Sequence, residues 1–309
     1  MQSITMSVNN HLSGTFPVIP TPFSAEGDID LKSFKSAINY ILECGVDGVV
    51  FPGLASEYSY LTREERLETT KLVGELTQGK VPFVVGASAS TPEQVIEYSV
   101  HGAQAGAVCA MVMAPNKFAG DEQAMVNFYK ELAQKANIPV MLQNAPAPMG
   151  AGMAIETVIS ILKQVPEIRY VKEETMPCGQ RMEQLLAAAP DTLIGVFGGA
   201  GGRYIIDELD RNALGTVPAC ELTEVHKLLV DAHNQGQFEK ALDLYCQMMP
   251  ILNMQAIYRC SLTKQILFER GIITCPQVRD TGPKLDAKNI EELKKLYAKL
   301  DGLMPALKA

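Results

Sequence analysis

Among the short apolar segments of this sequence, EIRYVKEET (167–175) is the one that carries basic residues, Arg169 at its entrance and Lys172 near its exit. In an extended segment successive side chains face opposite ways, so Tyr170, Lys172 and Glu174 share one face while Arg169, Val171 and Glu173 share the other. A lysine that a fold desolvates is pushed toward the neutral amine, which is the form that attacks a ketone to make an imine. The plain alternative is a lysine at a strand end that reaches solvent or pairs with Glu173 or Glu174, leaving those glutamates as surface charges. Lys117, in the loop APNKFAG, is a second lysine of this kind, read as solvated or as a substrate contact.

The elements that must position Lys172 are legible in the hydrophobic pattern. Apolar, β-branched runs at 15–20, 48–52, 82–86, 107–113, 138–142, 168–172, 193–197 and 214–217 alternate with longer amphipathic stretches. Thr62 with Glu65 forms a potential capping box, Thr91-Pro92-Glu93 places proline at a first helical position, and Gly45, Gly79 and Gly106 sit where helices must end. VCAMVMAP (108–115) and PVMLQNAP (139–146) are apolar on both faces, as parallel strands buried between two layers must be. Eight such units most simply close into a (β/α)8 TIM barrel, whose reactive residues sit at the carboxyl ends of the strands. An open doubly wound sheet competes, but PTPFSAEGD follows the first strand where a glycine fingerprint would stand.

From about residue 222 only helical patterns remain. The sequence thus divides into a barrel over 1–222 and, over 223–309, the last barrel helix plus a C-terminal helical extension that covers one barrel side or serves an oligomer interface. A chain of 309 residues with 47% hydrophobic content has ample material for this core. With 27 Lys and Arg against 35 Asp and Glu, the net charge of −8 gives no footprint for nucleic acid or an anionic membrane. Seven scattered cysteines without a C-x-x-C pair read as reduced structural thiols, and no leader or membrane span is visible, so a cytoplasmic address is expected.

Four segments in order, TFPVIPTPF (15–23), GLASEYSYLTREER (53–66), QNAPAPMG (143–150) and YVKEET (170–175), resemble the dihydrodipicolinate synthase / N-acetylneuraminate lyase superfamily of Schiff-base lyases. The resemblance spans nearly the whole chain and implies a barrel with C-terminal helices, a homo-oligomer (tetramer or dimer), and Lys172 as the residue that forms an imine with a small 2-oxo acid. It also places the substrate carboxylate against the N–H groups of Gly53, Leu54, Ala55 and Ser56, with the Ser56 hydroxyl as an added donor. The departures matter as much. Members that make or break carbon–carbon bonds have a hydroxyl-bearing pair where Leu54-Ala55 stands here and a Tyr where Gln143 stands, and the Arg of the synthases is missing from APAPMG (145–150). Gln143, Ala145-Pro146 and Lys172 followed by Glu174-Thr175 are similar to the L-2-keto-3-deoxyarabonate dehydratase branch.

An imine at C2 acidifies C3, and the resulting enamine expels a C4 hydroxyl, with no metal or organic cofactor required. Glu174 is the candidate for proton transfer and Gln143 for orienting substrate, since an amide has no titratable proton. Gly198 and Gly199, in the run 198–202, either cradle an anion at a helix start or only provide backbone freedom. Glu57 reads as a structural loop acceptor, His226 and His233 as surface or interface histidines, Cys220 as a buried thiol, and the methionines of 248–254 as filling between helices. Three functions follow: a hydro-lyase of a 2-keto-3-deoxy sugar acid; an aldolase or synthase using the same imine; and a non-catalytic 2-oxo-acid-binding protein on this scaffold.

Overall fold

The structure, a computed structural model, describes residues 11–305; residues 1–10, on which the leaderless reading partly rests, lie outside them. Strands β1 (Gly14–Thr15), β2 (Val49–Phe51), β3 (Phe83–Gly86), β4 (Cys109–Val112), β5 (Val140–Asn144), β6 (Ile168–Glu173), β7 (Gly195–Gly198) and β8 (Gly215–Thr216) pair in parallel in the order β1-β8-β7-β6-β5-β4-β3-β2. The ring closes through Val18, which bridges both Val50 and Ala219. Across that seam the Ile19 N–H donates to Val50 O at 2.9 Å and the Val50 N–H to Pro17 O at 3.0 Å. The first strand, expected over 15–20, forms a two-residue ladder because Pro17 and Pro20 have no N–H to donate. The molecule is a (β/α)8 barrel.

Helices α1 (Leu31–Glu43), α2 (Arg63–Thr77), α3 (Pro92–Gln104), α4 (Glu122–Ala136), α5 (Ile155–Gln164), α6 (Cys178–Ala188), α7 (Ile205–Asp210) and α8 (Thr223–Asn234) follow the strands. In α1, Phe34, Ala37, Ile38 and Ile41 recur at helical spacing and are buried against the sheet. The Thr62–Glu65 capping box opens α2, and Thr91 caps α3 with Pro92 in its first turn. Gly45, Gly79 and Gly106 follow α1, α2 and α3 in the left-handed region, with φ of 70, 72 and 96°.

Two apolar shells show which way each strand residue points. Phe16, Val50, Met111, Met141, Tyr170 and Phe197 fill the barrel interior, whereas Val49, Val112, Leu142, Val171 and Val196 pack outward against the helices. Tyr170 points inward and closes the amino end of the barrel, its hydroxyl accepting from the Leu12 N–H at 3.0 Å. Period two then turns Lys172 inward as well, one layer nearer the carboxyl end.

The helical extension contains α9 (Phe238–Glu269) and α10 (Ala287–Tyr297). α9 is broken at Arg259, where φ is 44° and ψ −120°. Its core of Leu229, Met248, Ile251, Leu252, Leu293 and Tyr297 is shared with Ile205 and Leu209 of α7, and Met248 and Met254 are buried in it. α9 packs on two 3-10 turns, Leu54–Ser56 after β2 and Ala200–Gly202 after β7, and so lies over the carboxyl end of the barrel. Among the described residues no helix is long and apolar enough to cross a membrane.

Candidate active site

A cavity of about 290 Å³ opens at the carboxyl end of the strands and contains both Lys172 and Glu174. β6 delivers Lys172, and the residue after the strand, Glu174, follows on the same inward parity. The Lys172 Nζ lies 3.2 Å from Glu174 Oε1, with the two side chains 6% and 10% exposed. The lysine therefore faces the cavity and pairs with a glutamate at once, joining two readings that the sequence leaves as alternatives. The contact puts a carboxylate within proton-transfer distance of the amine.

Glu174 is tightly held. Burial opposes its charge, but the Lys172 ammonium and hydrogen bonds from Gln143, the Ala200 N–H and Lys172 together keep its carboxyl below the ordinary range. Gln143 pairs in register with Lys172 across β5 and β6, and its amide donates to Glu174 Oε2 at 2.7 Å. The Ala200 N–H donates to Oε1 at 3.0 Å. Gly199 permits this approach: a Cβ there would stand 2.3 Å from Glu174 Oε1 and 2.6 Å from Lys172 Cε. Gly198 is tight for a different reason, since its Cβ would meet Glu208 Oε2 at 1.8 Å. Burial pushes the Glu208 carboxyl up to about 8, so behind β7 stands a neutral acid rather than a second negative charge. The glycines thus make room for carboxyl groups, and the run opens a 3-10 turn before the short α7.

Neither Glu173 nor Glu174 is a surface charge, which corrects the plain reading. Glu173 faces outward but is buried, accepting from the Asn144 amide at 3.0 Å and the Thr175 N–H at 2.7 Å, with Arg181 at 3.4 Å.

Gly53, Leu54 and Ala55 line the cavity. Ser56 does not face it: its hydroxyl donates to Ile19 O at 2.5 Å and accepts from the Gly53 N–H at 2.9 Å, while its own N–H donates to Gly53 O at 2.9 Å. Ser56 thus shapes the turn, and among the described residues the Leu54 and Ala55 N–H groups are left without an acceptor. Glu57, next in the chain, is a structural acceptor for the Arg279 and Asp280 N–H groups, each at 2.7 Å.

The other singled-out residues lie elsewhere. Lys117 lines a separate depression with Tyr58 and Arg66. His226 is fully buried, contrary to the surface expectation, with its ring nitrogens against Leu222 O at 3.0 Å and Gly201 O at 2.9 Å. Burial pushes its pKa down to about 4. His233, 13% exposed, lies 2.9 Å from Asp210. All seven cysteines are free, and Cys220 is buried. Cys260 borders the cavity, but burial pushes its thiol up to about 12. Among the described residues no group of His, Cys, Asp and Glu converges as metal ligands do.

Sequence reasoning missed the residues that α9 and the loop after β7 bring to the cavity: Arg203, Tyr204, Gln255 and Arg259. No local signal marks them, because their place depends on how the extension folds back over the barrel.

The comparisons with known proteins agree with this architecture. The dihydrodipicolinate synthetase family matches residues 11–299. An L-2-keto-3-deoxyarabonate dehydratase from Azospirillum brasilense is 26% identical over 305 residues, covering 97% of this chain and 98% of its own. A 4-hydroxy-tetrahydrodipicolinate synthase from Bartonella quintana (strain Toulouse) is 28% identical over 78% of this chain and 81% of its own. Among solved structures, a prophage protein of the dihydrodipicolinic acid synthase family from E. coli K12, in complex with pyruvate, superposes with a TM-score of 0.86 at 23% identity, covering 94% of this chain and 99% of its own. That last likeness speaks for the fold alone. On the match across nearly its whole length, the chain belongs to the dihydrodipicolinate synthetase family.

Proposed function

We propose that the protein is a Schiff-base-forming lyase of a small 2-oxo acid, and specifically a hydro-lyase of a 2-keto-3-deoxy sugar acid. The observation that carries this reading is the Lys172 amine inside the cavity, 3.2 Å from a carboxylate that three neighbouring groups hold in place. The free Leu54 and Ala55 amides receive the substrate carboxylate. Lys172, having given a proton to Glu174, adds through Nζ to the C2 ketone; Glu174 returns that proton to the carbinolamine hydroxyl, which leaves as water, so that a protonated imine and a free Glu174 carboxylate result. Glu174 then removes a C3 proton, and the enamine electron pair expels the C4 hydroxyl, which departs as water with the proton that Glu174 returns. Hydrolysis of the imine frees the lysine and an unsaturated 2-oxo acid, one water poorer than the substrate.

Dehydration is favoured over aldol cleavage because the places of the family's hydroxyl pair are the apolar Leu54 and Ala55 on the cavity wall, and Gln143 is spent on Glu174. The whole-length likeness to the Azospirillum brasilense dehydratase supports the same choice. Borohydride with pyruvate or a 2-keto-3-deoxy sugar acid will add mass to the peptide bearing Lys172; turnover that persists with no adduct refutes the imine. Pyruvate release from the sugar acid, read with a coupled dehydrogenase, would instead establish aldol cleavage. Binding without turnover across a panel of such acids would leave the non-catalytic reading standing.

A further inference from the structure

The charges of the cavity do not balance. Lys172, Arg203 and Arg259 line it against a single carboxylate, Glu174, although the chain as a whole carries a net charge of −8. Glu174 is taken by Lys172. Arg203 is held by neutral acceptors, Gln255 Oε1 at 2.7 Å and Leu252 O at 3.4 Å. The Arg259 guanidinium, half-buried on the cavity wall, has no hydrogen-bond or ion-pair partner among the described residues. Its backbone is unusual as well: φ 44° and ψ −120° interrupt α9 where the helix passes over the barrel mouth. L residues rarely adopt such a conformation, and it persists only where surrounding structure enforces it. The buried carboxyl of Glu221, which burial pushes up and the Arg203 charge pulls down, accepts from Thr263 at 2.8 Å and does not line the cavity.

A 2-oxo acid with one carboxylate, seated on the Leu54 and Ala55 amides, leaves the Arg259 guanidinium without an anion. We propose that Arg259, with Arg203 fixed by Gln255 beside it, forms a second anion subsite, and that the substrate is a 2-oxo acid bearing another acidic group, carboxylate or phosphate, at the end remote from C2. Arg259 is then the specificity determinant, supplied by the helical extension rather than by the barrel. The proposal rests on the imine reading above, since it places this group relative to a C2 ketone at Lys172. A planar guanidinium suits either anion through paired N–H donors, which a lysine only partly replaces.

The test is the concentration of ligand that half-saturates borohydride trapping on the full chain, with two matched pairs: 2-oxoadipate against 2-oxohexanoate, and 2-keto-3-deoxygluconate with and without a terminal phosphate. The unaltered protein will prefer the acid-tailed member of one pair by about tenfold or more, as loss of a charged hydrogen bond implies. The pair that shows the preference tells carboxylate from phosphate. Arg259→Gln will bring that ratio close to one, and Arg259→Lys will keep part of it. Arg259→Gly guards against a folding artefact, because glycine accepts the positive φ without strain and still lacks the cation. Absence of a preference, or a preference that survives in the Gln and Gly variants, overturns the subsite. An equal weakening of both members also overturns it, assigning Arg259 to the C1 carboxylate instead. Failure of pyruvate to give any adduct with the unaltered protein would be a failure of the imine reading, and is distinguishable from all of these.

Discussion

Lys172–Glu174 and Lys264–Glu57 are both buried ammonium–carboxylate pairs, at 3.2 and 2.5 Å, yet their surroundings differ in kind. Lys264 sits on α9 with its side chain 1% exposed, donates to Gln277 O at 2.9 Å and lies 4.0 Å from the centroid of the Phe23 ring. Burial lowers its pKa, with Glu57 opposing. The remaining oxygen of Glu57 takes the Arg279 and Asp280 amides. This sealed pair fastens the segment before α10 to the turn that follows β2. Lys172 instead has protein on one side and an open cavity on the other, and its carboxylate partner also borders that cavity. Burial and a carboxylate partner are common to both, so neither marks a reactive lysine. Access for a ketone does.

The sharpest way to break this contrast is to remove each lysine. Lys172→Ala should abolish imine trapping and reduce turnover by about 10⁴-fold or more, as deletion of a covalent nucleophile does. Lys264→Met should leave the Lys172 adduct intact while costing about 3–5 kcal/mol in urea unfolding, because Glu57 is stranded without its partner. An adduct that maps to Lys264 would invert the assignment.

Glu174→Gln should lower kcat by roughly 10²–10⁴-fold, the usual scale for a general acid–base. The same variant tests the electrostatics of the cavity pair. The folded carboxyl titrates below its ordinary value of 4.5, so in that range the unfolded chain binds more protons. Its stabilising contribution is complete above 4.5 and is lost as pH falls through the folded value. Melting temperatures should therefore fall more steeply below pH 4.5 in the unaltered protein than in Glu174→Gln.

Gly199→Ala forces a Cβ between Glu174 and Lys172 and should cost about 10²-fold in kcat/KM, the effect of displacing a reacting group by an ångström. Gln143→Leu removes one hydrogen bond to Glu174 and should lower kcat by about tenfold with little change in KM, read by steady-state kinetics. A rise in KM alone would show that Gln143 touches substrate rather than holding the carboxylate.

Much of this arrangement was legible before folding. Strands at 48–52, 82–86 and 107–113 stand as Val49–Phe51, Phe83–Gly86 and Cys109–Val112 because side chains covered on both faces leave an unbroken apolar run. The terminal ladders were the least legible, since the prolines near 17 and 218 leave β1 and β8 two residues each. The parity of Lys172 and Glu174 followed from strand alternation. Ser56 was misjudged because the same residue type that binds a carboxylate also closes a 3-10 turn, and here the Ile19 carbonyl and the Gly53 amide claim its hydroxyl. His226 was misjudged because helical spacing says which residues share a face, not what covers that face.

Local pattern by itself determined the barrel, its caps and the shared face of Tyr170, Lys172 and Glu174, but not whether that face is the inner one, since period-two and period-3.6 burial are properties of neighbouring residues. Only the tertiary structure decided that Gln143 would grip Glu174, that two amides would be left open at Leu54 and Ala55, and that a broken helix from the far end of the chain would set Arg259 on the cavity wall. These depend on contacts between segments distant in sequence, whose geometry is set by packing the whole core and leaves no trace in the spacing of nearby residues.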